Sequence, residues 1–508
     1  MKIKNNNQMK LGALISYCTI LANALFGLFV TPFILKNIGS SAYGVYKTMG
    51  SLSSSLLILD LGIGSTLLRY ISKYRANSED KKIGSFVSLM ICESAIILPL
   101  IILVEVILYF QLGAMYSGGF SEGELALARQ IFIILALNIV LNIVEHFLHG
   151  IISGYNNFLF GNGIKLSALL ARIITTLILL PLFKSALLLV GINLLLTFLT
   201  TIVQLTYIIK KYHIHLNFTV REWETGIIKE SFFYTVLIFL TTIAAQVNNN
   251  LDNVIIGAFL GAEKVTIYSF GLLIFGMFEQ LSTAISGVAL PTISKIVVSE
   301  DWQKRTQEFI VRMGRVQFML LGAAVTGFAV LGNTFLDIWL GKGYDDVYWI
   351  ILILMVPALF ELCVNGCLSV LRAKNMLGFR TGILFLSTLL NLVISVVGIY
   401  KYGYFAAAFG TATSFLVGSL IIMNLYYQRK LKFNMLKIYR EIFRGTFPSL
   451  VFSGLLLAVT SHFMNGTVIA FLINTAIFIG VFIIQMLIYG FTAEEKKTIR
   501  NIVKKNIM

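Results

Sequence analysis

The chain has 508 residues, of which 57% are apolar and only 13% charged, and its mean hydropathy is +0.85. A soluble domain of this length would carry about 25% charged residues on its surface, so a water-soluble globular protein is excluded and lipid is the natural solvent of most side chains. The net charge of +16 does not point to nucleic acid, because lysines and arginines lie between apolar runs and not on one basic domain.

A helix needs roughly 20 apolar residues to cross about 30 Å of hydrocarbon. That ruler predicts spans at 11–35, 43–68, 83–110, 125–149, 164–183 and 186–209. After a polar stretch it predicts spans at 231–260, 265–290, 309–331, 347–371, 381–400 and 404–427, then a last pair at 448–465 and 467–490. The fold class expected is therefore an all-α integral membrane protein of about 14 transmembrane helices. Residues 1–10 are basic and Asn-rich, and the apolar run after them has no small-residue cleavage site, so it reads as a retained first helix.

Lysine and arginine set the orientation. With the N-terminus inside, the cytoplasmic connections 69–82, 210–229, 295–308, 372–380 and 429–444 are basic, as are both terminal segments. The opposite connections carry at most one cation each (Lys36, Lys184, Lys264, Lys342, Lys401), and 111–124 carries none. This is the positive-inside pattern, weak only at 150–163, and it predicts that both termini are cytoplasmic. Every connection is short, which leaves no room for a catalytic domain outside the membrane.

Two stretches echo each other 222 residues apart: Ile38-Gly39, then Tyr43-Gly44-Val45-Tyr46, matches Leu260-Gly261, then Val265-Thr266-Ile267-Tyr268. Ile71-Ser72-Lys73 matches Ile293-Ser294-Lys295 at the same offset, and Asn156 to Ile164 matches Asn375 to Ile383 at an offset of 219. The offset spans an even number of helices, so the repeats enter the membrane in the same direction, and a substrate site is expected between them. The organisation predicted is a six-helix lobe at 1–209, a cytoplasmic linker at 210–230 and a second six-helix lobe at 231–427. A cytoplasmic loop at 428–447, an extra helix pair at 448–490 and a basic cytoplasmic tail at 491–508 complete it.

The Ile-Gly-x3-Tyr-Gly-Val-Tyr turn followed by Leu59-Asp60-Leu61-Gly62-Ile63-Gly64 resembles the Wzx-type polysaccharide or O-antigen flippases. So do residues 249–257 (NNLDNVIIG) with Gly261 and Tyr268, and Asp337-Ile338-Trp339-Leu340-Gly341. Those flippases belong to the multidrug/oligosaccharidyl-lipid/polysaccharide (MOP) exporter superfamily. The resemblance covers about 11–430 and implies two lobes forming a V-shaped cavity that rocks between inward- and outward-open forms. It implies as cargo an undecaprenyl-diphosphate-linked oligosaccharide carried from the cytoplasmic to the outer leaflet of a bacterial cytoplasmic (inner) membrane. The implied partners are that lipid-linked oligosaccharide, membrane lipids, and glycosyltransferases and a polymerase of the same pathway; no cofactor and no nucleic acid are implied.

Polar side chains inside spans cost energy unless they face a cavity or a partner. Asn138, Asn142, Glu145 and His149 form one stripe, which serves either as a cargo- or ion-contacting wall or as interhelical glue. His146 and His149 are read as interfacial. Gln246, Asn248, Asn249, Asn250, Asp252 and Asn253 form a run that lipid would not tolerate, and cavity lining is the favoured reading. For a diphosphate cargo the cations are the natural ligands. Arg172 is the deepest of them. Lys47 and Arg129 sit near the outer surface, where snorkelling alone explains them, and Arg312 and Arg315 near the inner end either snorkel or capture a headgroup. Substrate-binding candidates are thus Arg172, Arg312, Arg315, Lys47, Asn142, Asn249 and Asn250; ion-coupling candidates are Asp60, Glu145, Asp252, Glu279 and Glu361. Glu93 and Glu105 are further acids that could neutralise cations. Cys363 and Cys367 share a helix face, but no other ligand lies near them in sequence, so no metal site is expected.

No Gly-rich phosphate loop with a lysine is present, so the chain itself does not hydrolyse ATP. A cation-coupled multidrug exporter of the same superfamily is the second reading, and a membrane-embedded polymerase or acyltransferase the third. The extra helix pair weighs against the former. Short loops without a clustered acid, base and nucleophile weigh against the latter, so no enzyme is expected.

Overall fold

The structure, a computed structural model, describes residues 11, 15–16, 18–219, 246, 250–287, 289–464, 467–493 and 495–497. Among these residues there are helices and turns and no strand. Among the described residues thirteen helices are long and apolar enough to cross a membrane. Six precede the polar stretch: α1 (Cys18–Ile38), α2 (Ser40–Ala76), α3 (Lys82–Tyr116), α4 (Glu122–Gly154), α5 (Phe158–Phe183) and α6 (Ala186–Tyr212). The seventh expected span falls largely outside the described residues; its final part is the short helix α7 (Asn250–Leu260). Then come α8 (Ala262–Ile296) and α9 (Trp302–Trp339), followed by α10 (Asp345–Cys363), a short α11 (Gly366–Ala373), α12 (Leu377–Tyr402) and α13 (Phe405–Lys430). A surface helix α14 (Met435–Phe443) precedes α15 (Thr446–Phe463) and α16 (Val468–Gly490). The chain forms two compact units, Met1–Ser269 and Phe270–Met508, and the division falls inside α8.

Two spans are less regular than their apolar runs suggest. In α2 the helix tightens to a 3-10 turn at Leu57–Asp60, and Leu61 and Gly62 follow with left-handed backbones (φ 51° and 69°) before the helix restarts at Ile63. The expected span 347–371 is likewise divided. The amides of Val364 and Asn365 turn back to Glu361 and Leu362, three residues earlier, which closes α10 and lets α11 begin.

The internal repeat extends to backbone detail. Gly39 and Gly261, 222 residues apart, both take positive φ (81° and 90°) between consecutive helices, where a Cβ would be strained. The turn after α4 and the turn after α11 match bond for bond at an offset of 219. Asn156 and Asn375 are both left-handed. Their amides reach Ser153 and Arg372, and those of Asn157 and Met376 reach Ile152 and Leu371. The ends of α5 and α12 repeat the pattern at Lys184 and Gly403.

The first turns of the two repeats also meet, in a reciprocal way. Thr266 Oγ1 donates to the Ser40 carbonyl at 2.7 Å, while Gly44 lies so close to the Ala262 carbonyl that a Cβ there would stand 1.8 Å from it. Ser40 corresponds to Ala262 and Gly44 to Thr266, so each contact is the image of the other. Such mutual pairing is what a local two-fold relation between like elements produces.

Within the first unit α4 is the hub, packed against α2, α3, α5 and α6. Its buried apolar side chains join two clusters. One holds Met49, Tyr116, Phe132 and Leu135; the other holds Leu67, Tyr70, Met90 and Ile151. The break in α2 falls between the parts of that helix that serve each cluster. Beyond the break α2 and α4 touch through glycine: a Cβ on Gly64 would lie 2.8 Å from the His146 carbonyl, and one on Gly150 2.6 Å from that of Gly64. In the second unit α9 packs on α10, α14, α15 and α16, and α12 on α13. Met435, Ile438 and Ile442 of α14 turn inward while Leu436 is exposed, the division expected of a helix lying along an apolar boundary.

Candidate functional site: paired cations and a polar layer in the first unit

Two of the candidate cations lie within electrostatic reach of each other. Lys47 projects from α2 and Arg172 from α5, and each is near enough to feel the other's charge. The Lys47 ammonium lies 5.4 Å from the Tyr43 ring centroid and within hydrogen-bond reach of its hydroxyl. Thr31 of α1 holds the same hydroxyl. Arg172 donates from Nη2 to the Tyr46 hydroxyl at 3.5 Å, and its guanidinium carbon stands 5.4 Å from the Phe26 ring. Phe26 opens a π-helical segment, Phe26–Val30, that widens α1 at this point. Among the described residues no carboxylate bonds to Lys47 or Arg172. Like charges within reach of each other in a helical bundle repel, and among the described residues phenols and ring faces are what meets them. Two cations so placed make the local field favourable to an anion.

A second polar layer lies where α2 breaks. His146 Nδ1 is 3.3 Å from Asp60 Oδ2, and Gln204 of α6 donates to Glu145 Oε1 at 2.8 Å. Asp60 Oδ1 and Asn138 Oδ1 are buried without a hydrogen-bond partner among the described residues. His149, Lys165 and Glu145 are close enough to interact electrostatically, and His149 also packs against Gly161 of α5. His146, read as interfacial, also meets the Asp60 carboxylate while its side chain stays 40% exposed. The signal was present: His146 follows Asn142 by four residues, so the polar stripe of α4 is wider than Asn138, Asn142, Glu145 and His149 alone. Tyr43 and Tyr46 stand out in sequence as parts of a repeated turn and not as partners of cations, and Gln204 does not stand out because a lone glutamine in an apolar run carries no distinctive pattern. Asn142 lies one turn from Asn138 on the same helix.

The remaining candidates are placed differently. Asn249 lies outside the described residues. Asn250 donates to Gln246 one turn earlier. Asp252 and Asn253 are 3% and 6% exposed. The Tyr268 hydroxyl donates to Asp252 Oδ2 at 2.7 Å, and Asn253 joins Ser51 at 3.0 Å and Ser269 at 3.4 Å. In the second unit Glu279 and Glu361 feel each other's charge, and Glu361 is bonded by Ser419 and faces the field of Arg380. Arg312 is exposed on α9.

Arg315 is fully committed inside the chain, contrary to a role in capturing cargo. Its Nε and Nη2 bond both carboxylate oxygens of Glu495 at 2.8 and 3.1 Å. Nη1 bonds the carbonyls of Glu441 and Arg444, and Nη2 also that of Gly490. A guanidinium has five N–H donors, so none is left for a phosphate. Glu495 in turn caps the turn after α16, accepting from the Thr492 amide at 2.7 Å. No cluster able to hold a metal ion occurs among the described residues.

Residues 11–297 match the family model described as polysaccharide biosynthesis protein. The chain belongs to that family. A probable low-salt glycan biosynthesis flippase of Haloferax volcanii, Agl15, is 24% identical over 280 residues, covering 54% of this chain and 56% of that protein. The probable flippase AglR of the same organism is 27% identical over 179 residues, 34% of this chain and 37% of that protein. The matches thus span from about a third to just over half of these curated relatives. Among solved structures, a lipid II flippase MurJ in an inward closed conformation superposes with TM-score 0.72 over 94% of this chain and 98% of its own, at 15% identity. An inward-facing MATE-family multidrug transporter of the MOP superfamily gives 0.59 over 82% and 94%, at 13% identity. The family member described here therefore has the MOP-transporter fold.

Proposed function

We propose that this chain is an alternating-access flippase that carries a lipid-linked oligosaccharide with a diphosphate headgroup from the cytoplasmic to the outer leaflet. The observation that carries the reading is the Lys47–Arg172 pair: two cations held by tyrosines, with no carboxylate bonded to either among the described residues. Its setting in a polysaccharide-biosynthesis family whose matched relatives are named flippases supports the same cargo class. In this reading the phosphates bridge Lys47 and Arg172, the glycan lies among the polar side chains, and the reaction is passage without covalent chemistry. Asp60, Glu145, Glu279 and Glu361 are the acids proposed to couple the cycle to an ion gradient. The termini and basic loops face the cytoplasm, and glycosyltransferases and a polymerase act on the two sides.

The reciprocal contact of the repeats gives this cycle a gate. Ser40 Oγ bonds Glu263 at 3.4 Å across it, and movement of one repeat against the other would have to open it.

The test is deletion of the gene followed by assay of which leaflet holds the lipid-linked sugar. Precursor should accumulate on the cytoplasmic leaflet, and Arg172→Ala should partly reproduce the defect. Normal outer-leaflet delivery in a deletion strain without a redundant transporter would overturn the proposal. Efflux of ethidium by the purified protein in vesicles, with no glycolipid transport, would favour the multidrug reading instead.

A further inference from the structure

The first unit has a cavity of about 920 Å³ between α3, α4 and α6. It opens on the outer surface of the unit among side chains such as Phe110, Leu137 and Phe198, all of which are exposed. Exposed aliphatic and aromatic side chains of this density have lipid and not water as their solvent. The walls are apolar apart from Glu105 and the hydroxyl of Tyr109. Glu105 lines the cavity and is only 5% exposed, and its Oε1 is enclosed without a partner. No hydrogen bond or ion pair to Glu105 occurs among the described residues. A carboxylate in hydrocarbon without a counterion is costly, and such groups normally meet a cation or mark a site.

We propose that this cavity binds a lipophilic ammonium ion that enters laterally from the bilayer, with its N–H groups on the Glu105 carboxylate and its alkyl or aryl body between α3, α4 and α6. Depth limits the occupant. Glu105 stands eleven residues before the end of α3 at Tyr116, roughly 16 Å along a helix axis. A phospholipid headgroup at the interface does not reach that far, whereas a small amphiphilic amine does. The volume suits a drug-sized guest, and the single charge of the site selects a monocation. The site uses neither Lys47 nor Arg172 and is of opposite sign, so it stands apart from the flippase reading.

The experiment uses the full chain in lipid nanodiscs and a dodecylamine bearing a diazirine near the middle of its chain. After irradiation the labelled residues are mapped by mass spectrometry. Label is expected on α3, α4 and α6 around 102–110, 133–141 and 191–198. It should be competed by dodecylamine at a concentration at least tenfold below that needed for dodecanol. Glu105→Gln should lower saturable labelling at least tenfold, and Leu137→Trp, which fills the mouth without touching the carboxylate, should abolish it. Thermal unfolding of both variants confirms that each is folded. Equal competition by dodecanol, or undiminished labelling of Glu105→Gln, would mean that the cavity takes any alkyl chain and would overturn the proposal. Label spread over the lipid-facing surface would do the same.

Discussion

Arg172 and Arg315 are the same residue type in two transmembrane helices, and the chain treats them oppositely. Arg315 is 3% exposed and spends every N–H on Glu495 and three backbone carbonyls, tying α9 to the loop after α14 and to the end of α16. Arg172 has one long bond to a phenol and a ring face, with a second cation close by. Location in a span does not separate the two. Counting donors against acceptors does: a saturated guanidinium is a fastener, and an unsaturated one is available to an anion.

The sharpest way to break that contrast is to stop the movement that only Arg172 is proposed to serve. Bridging Ser40→Cys and Glu263→Cys with a short thiol-reactive linker should abolish glycolipid translocation and leave thermal stability unchanged or raised. Translocation at the normal rate with the bridge fully formed would remove the gate from the mechanism. The next largest effect is on stability. Arg315→Ala leaves three carbonyls without this donor and Glu495 with only Thr492, and breaking a largely buried pair in this way costs about 3–5 kcal/mol. A clear fall in melting temperature in detergent is expected, whereas Arg172→Ala should melt within a degree or two of the parent.

Translocation should show the reverse ranking. Loss of a charge-assisted bond costs about 1.5–3 kcal/mol, so Arg172→Ala or Lys47→Ala should slow transport on the order of tenfold or more. Arg172→Lys should recover part of the rate. If Arg315→Ala, corrected for folded protein, slowed transport as much as Arg172→Ala, the distinction would fail. A smaller effect tests the packing that carries the polar layer. Gly64→Ala presses a methyl group against the His146 carbonyl, and overpacking of this kind costs about 1–3 kcal/mol, read as a lowered melting temperature. Recovery at Gly64→Ser would indicate that the contact is looser than the distances imply.

Much of this was legible in the sequence for physical reasons. Lipid demands long apolar helices, so the spans could be measured off with a ruler, and thirteen of them are present among the described residues. The repeat was visible because left-handed turns accept few residues: Gly39 and Gly261, or Asn156 and Asn375, have little freedom to drift. The break at Leu57–Asp60 was not legible, since an apolar run looks the same with or without a tightened turn. Nor could the fate of the cations be read. Arg315 is satisfied by residues 126 to 180 positions away in the chain, and Arg172 finds Tyr46 across 126. Long-range partners leave no local pattern, so the charges were visible in sequence and their accounts were not.

The fastener itself offers the smallest and most specific test, through acid. Burial works to raise the Glu495 carboxyl, but the Arg315 guanidinium and the Thr492 amide and hydroxyl outweigh it and hold it below the usual carboxylate range. A carboxylate depressed in the folded state stabilises fully above its unfolded value, about 4.3 for glutamate. That contribution is lost as pH falls through the lower folded value. Glu495→Gln should therefore be less stable than the parent at neutral pH, and the two melting curves should converge as the medium is acidified below about pH 4. The loss should be smaller than for Arg315→Ala, because Arg315 keeps the carbonyls of Glu441, Arg444 and Gly490. A difference between parent and Glu495→Gln that stayed constant across that range would mean the ion pair contributes nothing beyond shape. Arg315 would then be fastened by backbone alone.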